Sequence, residues 1–347
     1  GGLPLLLEAQ AARLEGREED AVKSFVELLE HKDAGFLGVR GLLQSALDNG
    51  DDEGALALAE RALELHPNQP WILKITYDLL IRMRKWYRAE KILTRLEKQK
   101  AVEAEQAQSD RVALLLAQAE DDVAEGYVAD ATQQVKQVLK LSPGFAPASI
   151  LLANIQKEQD NLKKAYKTVK KAWKTGTSGA LVTYWMELIP EEDKNDKLAR
   201  LRWMEKLLKH NPHSPSGLRV AAELAVEAGL WGEAREYFKA AEEEGISSAL
   251  YKSWAELEEK SGGGEIAVRH WLSKAADAPA AKGWICQQTG RRYTHWVPVA
   301  EPHGSFNTIE WTRPKAELDP VIMIEKKYKM NEAVLDAPET PKDSSVG

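Results

Sequence analysis

The stretch that decides the fold is Gly50-Asp51-Asp52-Glu53-Gly54-Ala55-Leu56-Ala57-Leu58-Ala59-Glu60-Arg61-Ala62-Leu63-Glu64-Leu65-His66-Pro67. Ala55, Ala59 and Ala62 recur at spacings of four and three, which puts them on one face of a helix. Glycine opens the segment and proline closes it. Small residues on an apolar face let a second helix approach to about 8–10 Å. The unit runs from Phe36 to Gln69, and its first half, Phe36 to Asn49, has room for that second helix.

Working outward, the alanine at the crossing recurs. Ala21, Ala55 and Ala89 stand 34 residues apart, Ala131 and Ala165 repeat that spacing, and Ala234 and Ala267 follow at 33. The companions keep phase: Phe25/Leu28, Ala59/Ala62, Leu93/Leu96, Val135/Val138, Val169/Ala172 and Phe238/Ala241. Gly16, Gly50, Gly126, Gly229 and Gly262-Gly263-Gly264 precede the second helices. Pro67, Pro143 and Pro212 mark unit ends. A helix pair every 34 residues is the pattern of the tetratricopeptide repeat. The chain is therefore expected to be all-α: a tetratricopeptide-repeat solenoid with a superhelical path, helical to about residue 280.

Two irregularities suggest a division. Eight extra residues around Lys98 to Gln108, rich in Glu, Gln, Ala and Lys, predict a lengthened helix. From Gly176 to Asn211 the helical stripes of Trp185, Leu188, Leu198, Leu201, Met204 and Leu207 lack the small residue at the crossing. We expect an N-terminal sub-array over 1–110 and a C-terminal sub-array over 111–280, with a divergent unit near 177–212. Over 281–314, Trp284, Trp296 and Trp311 stand among prolines and glycines, predicting a small, turn-rich knob. The tail, 315–347, mixes charges with few large apolar groups and is expected to be disordered.

Composition narrows the function. The 347 residues carry a net charge of −7, against a nucleic-acid scaffold. Cys286 is the only cysteine, so no internal disulfide forms and a thiolate-rich zinc site is excluded. That fits a reducing compartment. No apolar run is long enough to span a membrane. The seven histidines are scattered, and no HExxH or triad-like order appears. Gly262-Gly263-Gly264 lacks the preceding strand of a phosphate cradle and reads as a turn. We expect no catalytic residue and no cofactor.

The array resembles the HemY-type tetratricopeptide proteins of proteobacteria. The residues that carry the likeness are Gly38 to Gly41 leading into Leu42-Leu43, Pro70-Trp71, and the block from Trp284 to Pro314. Relatives bear paired Cys-x-x-Cys knuckles there, as in rubredoxin. The resemblance places the four ligand positions at Cys286, Thr289, Ala300 and His303. Two of these offer no good ligand, so it implies a degenerate rubredoxin-like knob without metal, packed on its tryptophans. His295 is a conceivable replacement ligand. The resemblance further implies two membrane helices upstream of Gly1, with the array on the cytoplasmic face of the inner membrane. It also implies partners among tetrapyrrole-synthesis proteins. A porphyrin- or haem-binding module is the alternative, with Cys286 the test residue.

The expected binding surface is the concave side, where first helices converge. Arg40, Gln44, Lys74, Asp78, Arg82, Asn154 and Arg219 have the phase to line it, and protein partners are expected there. The same positions would read as an ordinary solvated helix face. The Lys163 to Lys174 run is either another solvated face or a contact for an anionic partner or lipid headgroups.

Overall fold

A computed structural model describes residues 2–31, 34–176 and 178–315. The disordered-tail expectation lies outside these residues, apart from Lys315. Sixteen α-helices and five short strands are described. The helices are α1 (Gly2–Leu14), α2 (Glu18–Leu28), α3 (Gly35–Asp48), α4 (Asp52–Leu65), α5 (Pro70–Arg82), α6 (Trp86–Lys98), α7 (Ala104–Glu125) and α8 (Val128–Leu141). They continue as α9 (Ala146–Glu158), α10 (Leu162–Thr175), α11 (Ala180–Glu187), α12 (Lys197–Leu208), α13 (Pro215–Glu227), α14 (Trp231–Glu244), α15 (Ser248–Ser261) and α16 (Glu265–Asp277). They fold as helical hairpins of tetratricopeptide type, in two compact units that divide within α7, at Leu114/Leu115.

The crossing alanines explain the hairpins. Ala21, Ala55, Ala89, Ala131, Ala165 and Ala234 are each the fourth residue of a second helix and each fully buried. Ala267 breaks the series, because it is the third residue of α16 and only half-buried. The buried alanine of that helix is Ala275, one repeat beyond Ala241. In α12 the fourth residue is Arg200, so that unit does lack the alanine.

Turn chemistry is equally regular. Gly16, Gly50, Gly126 and Gly229 sit at φ between 71° and 89°, just before the second helix. Arg84 and Asp160 take the same left-handed conformation, at φ 55°. Asp51, Asn161, Asp196, Ser214 and Ser247 cap the following helices through side-chain oxygens. The extra residues near 98–108 divide between a short turn and a 22-residue α7, so the lengthened helix is the one after the turn.

In the N-terminal unit, Gly38 and Gly41 let α3 lie directly on α2. A Cβ on Gly38 would stand 2.6 Å from the Phe25 carbonyl oxygen, and one on Gly41 2.2 Å from the Phe25 ring. In the second unit, each first helix touches the next: α9 with α11, α11 with α13, α13 with α15. The divergent hairpin is α11 and α12.

The knob belongs to the second unit. Its strands are β1 (Gly283–Cys286), β2 (Arg292–Tyr293), β3 (Val299–Ala300), β4 (Ser305–Phe306) and β5 (Ile309–Thr312). They form an antiparallel sheet of order β2-β1-β5 and a β3-β4 pair. The knob lies against the loops that precede first helices. Trp296 meets Phe145 edge-on at 5.4 Å, and Arg313 donates to the Ile246 carbonyl at 2.8 Å. Trp311 covers Gly179, where a Cβ would stand 2.8 Å from its ring.

Candidate functional site

The first-helix face of the N-terminal unit is best defined on α5. Neighbours bury that helix on every side except one strip: Pro70, Lys74, Asp78 and Arg82, at i, i+4, i+8 and i+12. A helix sandwiched on three sides leaves one face for solvent or a partner. Arg82 reaches Asp52 at 2.6 Å. On α3, Arg40 is half-buried. Gln44 is 4 % exposed, and its amide donates to Asp48 at 2.9 Å. Its role there is to orient Asp48, which also takes an ion pair from Arg13 of α1 at 2.7 Å.

The other two residues expected on this face lie in the second unit, and both are engaged. Asn154 of α9 accepts from the Tyr184 hydroxyl of α11 at 2.7 Å. Arg219 pairs with Glu223 on its own helix, and Glu223 accepts from Ser253 of α15 at 2.5 Å.

These bonds form a second periodic feature beside the crossing alanines. Successive first helices are joined by polar rungs: Arg13–Asp48, Tyr77–Asp110, Tyr184–Asn154 and Ser253–Glu223. Second helices carry rungs too, Tyr237–Glu205 at 2.7 Å and Lys274–Glu242 at 2.9 Å. The partners stand 30 to 35 residues apart, close to one repeat, and that spacing was present in the sequence. Burial, followed by the charge of the Asp110 carboxylate, pushes the Tyr77 hydroxyl far above its ordinary range. Burial does the same for Tyr184, with Glu187 adding to it. Both phenols are therefore neutral donors at any physiological pH.

In the knob, two turns carry the four positions of the ligand mapping. Gly290 N–H donates to the Cys286 carbonyl at 2.8 Å, and Gly304 N–H to the Ala300 carbonyl at 3.0 Å. The turns bring Cys286 and His303 together. The thiol lies 3.3 Å from His303 Nε2 and 3.3 Å from Thr308 Oγ1. Burial raises its pKa, but hydrogen bonds from the Thr289 and Thr308 hydroxyls and from the Gln288 and Thr289 amides outweigh that, leaving it below the ordinary value. Ala300 is fully buried and contributes only packing. His295 is exposed and bonded to Thr294 at 2.9 Å. Among the described residues, no group of three or more His, Cys, Asp or Glu is placed to hold a metal. Thr308 was not foreseen; it lies opposite the knuckles and carries no metal-ligand signature.

Among the second helices, α10 carries six lysines and no acid. Five are exposed and Lys170 is half-buried. Trp173 beside them is fully buried in the core. Gly262 is a left-handed helix terminus, as its turn reading implied.

No family model matches the chain, and no curated protein matches it. Among solved structures it is similar to YrrB, "a TPR protein with an unusual peptide-binding site", at 17 % identity over 47 % of this chain and 84 % of that one, TM-score 0.29. A tetratricopeptide repeat protein from Parabacteroides merdae aligns at 15 % identity over 73 % and 99 %, TM-score 0.31. Yeast Tom70 aligns at 16 % identity over 79 % and 68 %, TM-score 0.29.

Proposed function

We propose that this chain is a non-catalytic scaffold that holds a segment of a partner protein on its first-helix face. The observation that carries the reading is α5, whose only solvent-facing strip is Lys74, Asp78 and Arg82 below Pro70. Side chains of both signs on a rigid face suit an extended or helical segment with mixed polar and apolar positions. The polar rungs between first helices keep that face in register, so little ordering entropy is lost on binding.

The likeness to HemY-type proteins supports a finer reading, in which the scaffold is tethered at the bacterial inner membrane, faces the cytoplasm and gathers tetrapyrrole-synthesis proteins. No observation favours the porphyrin-binding alternative, since Cys286 is fully buried and bonded to His303 and Thr308.

A photo-crosslinking residue at Lys74 or Asp78, followed by mass spectrometry of the captured protein, tests the scaffold reading. Capture from these positions and not from Lys91 on α6 is expected. Equal capture from Lys91 refutes a first-helix site.

A further inference from the structure

The six lysines of α10 span about a third of its circumference, since 163, 164, 167, 170, 171 and 174 fall within one face of a 3.6-residue helix. Arg202 and Lys206 of α12, and Lys209 at its C-cap, are exposed at a similar spacing. Among the described residues none of these nine cations makes an ion pair, although the chain as a whole is acidic. Arg200, on the same α12, is paired with Glu227, so the patch is not a general property of that helix.

The two helices present their charge together. Lys170 lies over the Trp185 ring at 5.5 Å and Lys206 over the Trp203 ring at 4.9 Å. The two indoles are stacked at 4.5 Å with 9° between planes. Two cations are thus fixed on one buried aromatic pair. At the other end, burial and then Lys174 and Lys170 lower the pKa of His210, so positive charge converges there as well.

The chemistry selects among anionic partners. Lysine dominates, and a lysine is a compact point charge, whereas arginine is the residue of bidentate phosphate or carboxylate recognition. Trp185 and Trp203 are buried and offer no platform for stacked bases. Leu198, in the first turn of α12, is more than 40 % exposed on the same face as Arg202 and Lys206. Diffuse lysine charge beside an exposed leucine suits a broad negative surface. We propose that the outer face of α10 and α12 docks on a bilayer surface containing anionic lipid. This site is separate from the first-helix face and stands whether or not that face binds protein.

The test is co-sedimentation of the whole chain with vesicles. Phosphatidylcholine vesicles are compared with vesicles containing about 30 % phosphatidylglycerol, at salt of about 0.05 M and about 0.5 M. Binding to the anionic vesicles alone, lost at high salt, is expected. Lys163→Glu, Lys167→Glu and Lys174→Glu together should reduce partitioning about tenfold or more. These residues are exposed and outside the tryptophan stack, and the milder Lys→Gln triple gives the same comparison should the reversal disturb folding. Arg61→Glu with Lys91→Glu should change nothing. Equal binding to both vesicle types, no binding to anionic vesicles at low salt, or unchanged partitioning of both triples overturns the proposal. So does binding of polyglutamate at this face without vesicle binding, which assigns the patch to an acidic protein.

Discussion

Trp185 and Trp203 exchange hydrogen bonds: each indole N–H donates to the other residue's main-chain carbonyl, at 2.9 and 2.8 Å. The rings lie stacked and nearly parallel between these bonds. This is how the α11–α12 hairpin closes without the small residue that closes its neighbours. The hairpins on either side gain their approach from an alanine, Ala165 and Ala234, while this one gains a specific, saturated aromatic contact. Trp185→Phe or Trp203→Phe removes one donor and part of a buried ring, while the carbonyl it served keeps its main-chain donor, Leu188 N–H in the case of Trp185. Each should cost about 1–3 kcal/mol. The double variant should cost less than the sum, because the two bonds define one unit. Denaturant melts of the four proteins measure the coupling, and strict additivity contradicts a shared lock.

Ala55 is fully buried at the α3–α4 crossing. Ala55→Trp overpacks that crossing and should cost about 3 kcal/mol or more. Ala267→Leu, at the half-buried position of α16, should stay within about 0.5 kcal/mol. Thermal melts separate the two, and an unchanged melt for Ala55→Trp removes the crossing assignment.

Those alanines show why the fold was legible. Their period is set by the close approach of two helices, and only small residues meet it. The divergent hairpin was legible only as an absence, since reciprocal bonds to carbonyls leave no periodic mark on Trp185 and Trp203. The site was read less completely. Lys74, Asp78 and Arg82 were foreseen as a stripe, because helical phase alone fixes it. That Gln44 is buried and that Asn154 and Arg219 are engaged depends on partners a repeat away. The knob's four positions came from the resemblance alone, and of the thiol's neighbours His303 was among them while Thr308 was not.

Gly179 is one of the points at which the knob meets the repeat array, beside Phe145 and Ile246. Gly179→Val pushes a side chain into the space of the Trp311 ring and should loosen the knob by about 1–3 kcal/mol. In a Trp311→Ala background the same change should be nearly silent. Amide exchange over residues 283–312 reads the effect. An equal cost in both backgrounds means that the Trp311 contact is not what Gly179 permits.

The thiol of Cys286 makes knob stability depend on pH. Its folded pKa lies below the ordinary thiol value, because the hydrogen bonds it receives outweigh its burial. Its contribution is fully present above the unfolded value of about 8.5. It is lost as pH falls through the lower folded value. Exchange protection in the knob should therefore rise as pH climbs from below the folded value to about pH 9. Cys286→Ser should flatten that rise, and a rise of the same size in the serine variant assigns it to another group.

The charge on the N-terminal first-helix face should decide partner capture. Arg40 and Lys74 stand on adjacent first helices, α3 and α5. Arg40→Glu with Lys74→Glu reverses both without touching the buried crossings. Truncating a true anchor should cost about 1–3 kcal/mol of binding, and most neighbouring positions near zero, because few residues dominate an interface. Arg61 and Lys91 are exposed on the second helices α4 and α6, so reversing them should leave affinity unchanged. The measurement is affinity for the partner captured by crosslinking at Lys74 or Asp78. Equal melting temperatures of the variants ensure that folding is not what is being read. If the Arg61/Lys91 reversal weakens capture while the Arg40/Lys74 reversal binds normally, the partner site belongs to the outer face. The two results cannot both follow from one surface, because α5 exposes only the strip that carries Lys74, Asp78 and Arg82.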